Sequence, residues 1–269
     1  MFERIKPLIF GAGLTALLLS PAPSSARTLD EILSDGTLKV GVETDLAPLG
    51  SYNDKNEVVG FDIDVADKLA SMLGVKTAFV PLKGPDRLPF LASGKIDISL
   101  GGLTRNPARA KVVDFTAPLH TESLSVLTLE GKPFKTWRDL DSASVTLVQV
   151  RGSTPVDFIK EHLPKAQVLL LNSNADVVRS MAQGRGDAVI EALDFFNDLR
   201  AANKANWRVL EDPIEVDYDA IGVAKGNSSL KDWLNVALYA LHSSGFVNET
   251  WEKWFKGPMT VKVVASPYF

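Results

Sequence analysis

The stretch "GGLTRNPARAKVVDF", residues 101–115, decides how the rest of the chain is read. A short apolar run, "IDISL" (96–100), leads into its two glycines. Thr104, Arg105, Pro107 and Arg109 follow, and the chain turns apolar again at "VVDF". The apolar run has the length and make-up of a buried strand. Asn106 is a good N-cap and Pro107 suits a first helical position, so a helix is expected to start here. A helix that begins at the C-terminal end of a parallel strand stands where α/β sheets place their ligands. Its free N–H groups favour an anion. Arg109 offers a forked guanidinium that pairs with a carboxylate through two hydrogen bonds. Thr104 adds a hydroxyl, and Gly101 and Gly102 let the backbone come close to a ligand. Taken alone, a carboxylate-binding corner and a capped helix with solvated arginines are equally good readings.

Working outward, strands and helices alternate on both sides. Upstream lie the strand "TLKVGVET" (37–44), the helix "GFDIDVADKLASMLG" (60–74), the strand "VKTAFVPL" (75–82) and the short helix "PDRLPFLASG" (85–94). In the first helix Asp64 is the expected N-cap, Val65, Leu69, Met72 and Leu73 share a face, and Gly74 is the stop. Strand, helix, strand, helix, strand is the order of a parallel sheet with crossover helices. The order restarts at "ASVTLVQVRGST" (143–154) and continues through "PVDFIKEHL", "KAQVLLL", "NADVVRSMAQG" and "DAVIEAL". Here Thr154 is the expected N-cap, with Pro155 at the first helical position and Asp157 completing a capping box. Each half therefore carries a glycine-containing turn into a proline-started helix. Even a local phrase recurs: "LASGKIDIS" (91–99) beside "MAQGRGDAV" (181–189).

The tail is helical, with Leu230, Trp233, Leu234, Ala237, Leu238 and Leu241 on one stripe and "NETWEKWFKG" behind it. Two long β-rich segments, "FTAPLHTESLSVLTLEG" (115–131) and "PIEVDYDAIGVAKGN" (213–227), flank the second α/β unit. They read as strands crossing between two lobes, and a hinge of that kind makes a cleft that can close. The expected fold class is α/β, with one lobe from 27–120 and 222–269 and the other from 121–221.

The first residues have the pattern of a secretory signal. Arg4 and Lys6 precede an apolar run from Pro7 to Leu19, then "PAPSSA" supplies the small residues a signal peptidase reads, with cleavage expected after Ala26. The remainder holds 27 basic and 32 acidic residues, a net of −5 that argues against a nucleic-acid partner. There is no cysteine, hence no disulfide, thiol catalysis or thiolate-bound metal. The histidines, His120, His162 and His242, are too scattered in sequence to suggest a metal site or a triad, and His120 is read as a hinge-surface residue. No cofactor is expected.

The ordered phrases "LKVGVETDLAP", "GFDIDVADKLASMLG", "FLASGKIDISLGGLTRNPARAKVVDFTAPL", "VRGST", "GRGDAVIEALD" and "WEKWF" resemble the periplasmic amino-acid-binding proteins of ABC transporters, solute-binding protein family 3, from about Leu29 to Phe255. The resemblance implies a two-lobed Venus-flytrap fold of type II, a periplasmic monomer, an amino acid or other small carboxylate as ligand, and a membrane permease as partner. It implies that Arg109 grips the ligand carboxylate beside Thr104, that Gly102 contributes backbone, and that Gly152, Ser153 and Thr154 add donors from the second lobe. Three family features are altered. Leu49 and Pro85 stand where aromatics often sandwich the ligand side chain, and Tyr52 is the candidate replacement. The aspartate that usually pairs with the ligand ammonium falls on Ala192. Glu191 and Asp194 flank it and either is a candidate, although strand alternation puts Glu191 on the opposite face. Some relatives are dehydratases of cyclohexadienyl acids, but their general-acid position falls on Phe195, which has no proton to give, so catalysis is not expected. A ligand-sensing role is the other alternative.

Overall fold

The structure is a computed structural model that describes residues 26–195, 206–210 and 213–266. The basic and apolar segment read as a signal lies almost wholly outside the described residues. Among the described residues no helix is long and apolar enough to cross a membrane.

The first lobe starts with α1 (Leu29–Asp35), β1 (Thr37–Glu43), a small hairpin of β2 (Ser51–Tyr52) and β3 (Val58–Val59), α2 (Phe61–Leu73), β4 (Lys76–Leu82), α3 (Arg87–Ala92) and β5 (Ile98–Ser99). Then comes the long β6 (Val113–Leu129). The second lobe holds β7 (Thr146–Val150), α4 (Thr154–His162), β8 (Gln167–Leu171), α5 (Asn174–Ala182), β9 (Ala188–Ala192) and β10 (Trp207–Val209). The return strand β11 (Val216–Ala224) leads to α6 (Ser228–Ser243) and α7 (Phe246–Phe255).

All strands but the β2–β3 hairpin join in one sheet, in the order β4-β1-β5-β11-β6-β9-β7-β8 with β10 on β6. β1 is parallel to β4 and β5, and β7 is parallel to β8 and β9, as the alternating pattern predicts. β6 and β11 are antiparallel and form the expected crossing. β6 pairs with β11 up to Ser123 and with β9 from Leu124 onward. A lobe boundary at 120/121 thus lies three residues before this change of partner, and one at 221/222 lies inside β11.

Apolar alternation explains the packing. Val40, Val42, Val65, Ala66 and Leu69 are fully buried where α2 covers β1. Each large aliphatic side chain so buried contributes roughly 1.5–3 kcal/mol. The tail stripe seals the same lobe through Leu230, Leu234, Ala237, Leu238 and Leu241, with Trp233 only partly buried. Trp251 of α7 stacks on Phe255 at 3.7 Å between ring centroids and meets Phe61 edge-on.

Local expectations fail at three helix starts. Gly60, not Asp64, caps α2, and Asp64 sits one turn inside, accepting from Lys253 Nζ at 2.5 Å and Trp254 Nε1 at 2.7 Å. That carboxylate ties α2 to α7 instead of capping its own helix. Ser153, not Thr154, precedes α4, with its hydroxyl turned back to Val150 O at 2.8 Å. No α-helix follows Pro107. The segment makes one 3-10 turn, Arg109–Lys111, with Asn106 Oδ1 accepting from Arg109 N at 2.9 Å, and runs at once into β6. The β-branched pair Val112–Val113 favours that strand, and a single turn has no helix dipole worth invoking for an anion.

Candidate functional site

The opening stretch lies at the junction of the two lobes. Arg109 is buried, and its guanidinium spans the cleft: Nη1 donates to Thr104 O at 2.8 Å and Nη2 to Gly152 O at 2.9 Å. Two of its five N–H donors are used in this way, and both acceptors are neutral carbonyls. Among the described residues no carboxylate contacts the guanidinium directly. Burial pushes its pKa down to about 10, with Arg87 adding repulsion. It stays cationic at neutral pH. Arg105, four residues earlier, is exposed.

Thr104 and Thr154 approach from opposite lobes, hydroxyl to hydroxyl at 3.4 Å. Both donate to Asp217 Oδ2 on β11, at 3.2 and 3.0 Å. A further contact across the lobes runs from Asn174 Nδ2 to Glu43 Oε2 at 3.3 Å. The lobes are thus joined at the cleft by side chains from β1, β11, α4 and α5, and the conformation is closed.

Gly102, Thr104, Arg109, Ser153, Thr154 and Glu191 all line the polar cleft, whose volume is about 50 Å³. Gly152 gives its carbonyl to Arg109. Gly102 has φ +56°, and an added Cβ there would stand 2.7 Å from Glu122 Oε1. Its carbonyl accepts from Arg87 Nη1 at 3.1 Å. Tyr52 is 47% exposed on the hairpin and does not line the cleft, so the thinned aromatic sandwich has no replacement there. Asp194 also lies outside the lining, in the helical residues 193–195 that follow β9, with burial raising its pKa to about 6.

Strand alternation holds in β9, and it is the face opposite Ala192, carrying Val189 and Glu191, that borders the cavities. Ala192 is buried in the sheet, and Glu191 is the residue that reaches the cleft. It sits one residue from the end of β9, where its Oε1 accepts from the following Ala192 N–H at 2.9 Å and the side chain curls over the strand end. Burial raises its pKa to about 7.

Other site residues were not singled out from sequence. Arg87, at the start of α3, pairs with Glu43 at 3.1 Å and also donates to Gly101 O. Burial nevertheless pushes Glu43 up. Glu122 lines the cleft from β6, and Asp62 lies buried at the start of α2. Both are held well above the carboxylate range by burial. Their one sequence signal was polar residues inside runs otherwise apolar enough for core, as in "LHTESLS" (119–125). His120 proves to be buried at 1% exposure, against Phe61 and Trp251, and not on the hinge surface.

Beside the polar cleft is a second cavity of about 270 Å³, sharing Leu46, Asn174, Glu191 and Phe195 with it. Val177, Met181 and Trp207 make its far wall apolar.

Comparison with known proteins fits this geometry. The family model for bacterial extracellular solute-binding proteins, family 3, matches residues 38–257. The ABC transporter glutamine-binding protein GlnH of Bacillus subtilis is 31% identical over 237 residues, 87% of this chain and 86% of that protein. Cyclohexadienyl dehydratase of Pseudomonas aeruginosa is 25% identical over 95% of this chain and 97% of its own length. The crystal structure of the ancestral amino acid-binding protein AncCDT-1, a precursor of cyclohexadienyl dehydratase, superposes with a TM-score of 0.78 at 32% identity, covering 84% of this chain and 99% of that one. Two lobes, an antiparallel pair of crossing strands and a closed cleft built around Arg109 thus coincide with a family match over most of the sequence: the chain belongs to the bacterial extracellular solute-binding proteins of family 3.

Proposed function

We propose that this protein is the periplasmic binding component of an amino-acid ABC importer, released by cleavage after Ala26, acting as a monomer and delivering its ligand to a membrane permease. The observation that carries the ligand class is Arg109: a buried guanidinium, two donors spent on neutral carbonyls, facing a cleft of about 50 Å³. That space suits the carboxylate and ammonium of an amino acid. The carboxylate takes the remaining N–H donors of Arg109, and the ammonium sits against Glu191, the flexible acid nearest the place where relatives carry aspartate. The side chain then extends toward Val177, Met181 and Trp207, which favours an apolar one. Closure removes water from the ion pairs and strengthens them. The fitting test is a thermal-shift screen of amino acids and other small carboxylates, because a ligand bound only by the folded state raises Tm. Apolar amino acids should give the largest shifts. A screen in which only carboxylates without an amino group respond would refute the assignment of Glu191.

One observation favours a second reading, a dehydratase. Glu191 and Glu122 are cleft carboxyls whose pKa values burial raises, Glu191 to about 7, the direction that a general acid needs. Phe195 at the expected acid position speaks for binding without turnover. Incubation with prephenate decides it: formation of the aromatic 2-oxo acid, with loss of water and carbon dioxide, faster than in buffer alone would establish catalysis.

A further inference from the structure

The crossing strands bring together three groups that lie far apart in sequence. His120 and Glu122 are two residues apart on β6 and so project to one face. Asp219 on β11 is the direct register partner of His120. All three are buried, with exposures of 1%, 5% and 1%. One ligand atom from each lies within 4.8 Å of the others.

Among the described residues none of these facing atoms has a hydrogen-bond partner. His120 Nδ1, Glu122 Oε1 and both carboxylate oxygens of Asp219 are buried and unsatisfied. His120 Nδ1 stands 3.6 Å from Asp219 Oδ2, too far for a hydrogen bond. Leaving such a buried group unpaired is unfavourable, more so if it is charged, so several orphans close to one another call for a common partner. The spacing identifies its kind. Nitrogen and oxygen ligands of zinc lie about 2.0–2.2 Å from the metal, which makes the edge of the tetrahedron about 3.3–3.6 Å. The Nδ1 to Oδ2 distance matches that edge.

We infer that His120, Glu122 and Asp219 form a binding site for one divalent transition-metal ion, zinc best of all, at the crossing between the lobes. One imidazole and two carboxylates are a ligand set suited to zinc. The ion satisfies the orphaned atoms together and offsets the local excess of acid, to which Asp62, also without a hydrogen-bond partner, adds. Glu122 lines the cleft as well, which gives the ion an entry path from solvent when the lobes part. Because β6 and β11 supply the ligands, the metal would staple the two crossing strands at the hinge and not touch the carboxylate grip of Arg109.

The test uses the protein purified without a polyhistidine tag, stripped with a chelator and reloaded with zinc chloride. Mass-spectrometric metal analysis after desalting should find one zinc per chain, and zinc should raise Tm. Cobalt(II) should give the intense visible bands of a four-coordinate site. All three signals should be lost in His120→Ala and in the near-isosteric Asp219→Asn and Glu122→Gln, which keep the packing volume if the alanine variant folds poorly. Absence of retained zinc, Tm shift and cobalt bands in the wild type would overturn the inference and leave shared protons as the partner of these groups. Equal zinc uptake by the wild type and all folded variants would overturn it too, since the metal would then lie elsewhere.

Discussion

Replacing Arg109 by alanine tests the heart of the proposed site. The two bonds that Arg109 donates, at 2.8 and 2.9 Å, exist without ligand, so they set the guanidinium's position more than they add to affinity. The affinity comes from the carboxylate, which the closed cleft would otherwise bury without a partner. Truncating one member of a buried charge pair costs about 2–5 kcal/mol, which is a rise in Kd of about 30-fold to several thousand-fold. Loss of the bond to Gly152 O, which joins the lobes, adds to this by weakening closure. Arg109→Lys should fall between, because a lysine is a point charge that cannot fork toward Thr104, Gly152 and a ligand at once. Stability should change less than affinity, since the buried cation also pays a desolvation penalty that its removal relieves. The assay is isothermal titration with the best ligand from the thermal-shift screen, with circular dichroism to confirm folding. A folded Arg109→Ala variant whose Kd stays within about threefold of wild type, under the roughly 0.7 kcal/mol that such a ratio represents, would refute the reasoning.

Four further outcomes are expected. Folded Glu191 holds its proton to about pH 7 and folded Asp194 to about 6, while their ordinary values are 4.5 and 3.8. The folded state therefore binds more protons between those limits, so stability from these groups is greatest below the window and declines as pH rises through it; urea melts should show Glu191→Gln flattening that decline, and an unchanged slope would sink it. Ligand affinity should run the opposite way, because an ammonium needs ionised Glu191: it should fall by up to about tenfold per pH unit below 7, and a flat calorimetric profile from about pH 8 to 5.5 would contradict the assigned role. Asn174→Ala removes the bond to Glu43 across the lobes, worth about 0.5–1.5 kcal/mol, so small-angle scattering of the ligand-free protein should show a larger radius of gyration. Gly186→Ala would place a Cβ 2.1 Å from Val148 Cγ2 in the core of the second lobe; the overpacking should cost about 1–3 kcal/mol, and an unaltered Tm would show that the lobe relaxes more easily than its packing implies.

The sequence by itself determined the architecture. Alternating apolar periods and glycine stops are local signals, so the parallel units and two crossing strands were legible, and the tail stripe was legible for the same reason. Arg109, Thr104 and the turn at 152–154 could be named because they follow strands at the ends where ligands collect. Tertiary structure alone decided what those residues meet. The helix expected after Pro107 gave way to one turn because β6 claims the chain from Val113. Glu191 reaches the cleft because the face of β9 that it shares with Val189 borders the cavities, while Ala192 packs into the core with Ala188 and Ile190. Asp217 receives hydroxyls from both lobes, and His120 faces Asp219, through a register between strands about a hundred residues apart. No periodicity records such a register. It is fixed when two lobes fold against each other, and it turned three histidines dismissed as scattered into one histidine with two carboxylates beside it.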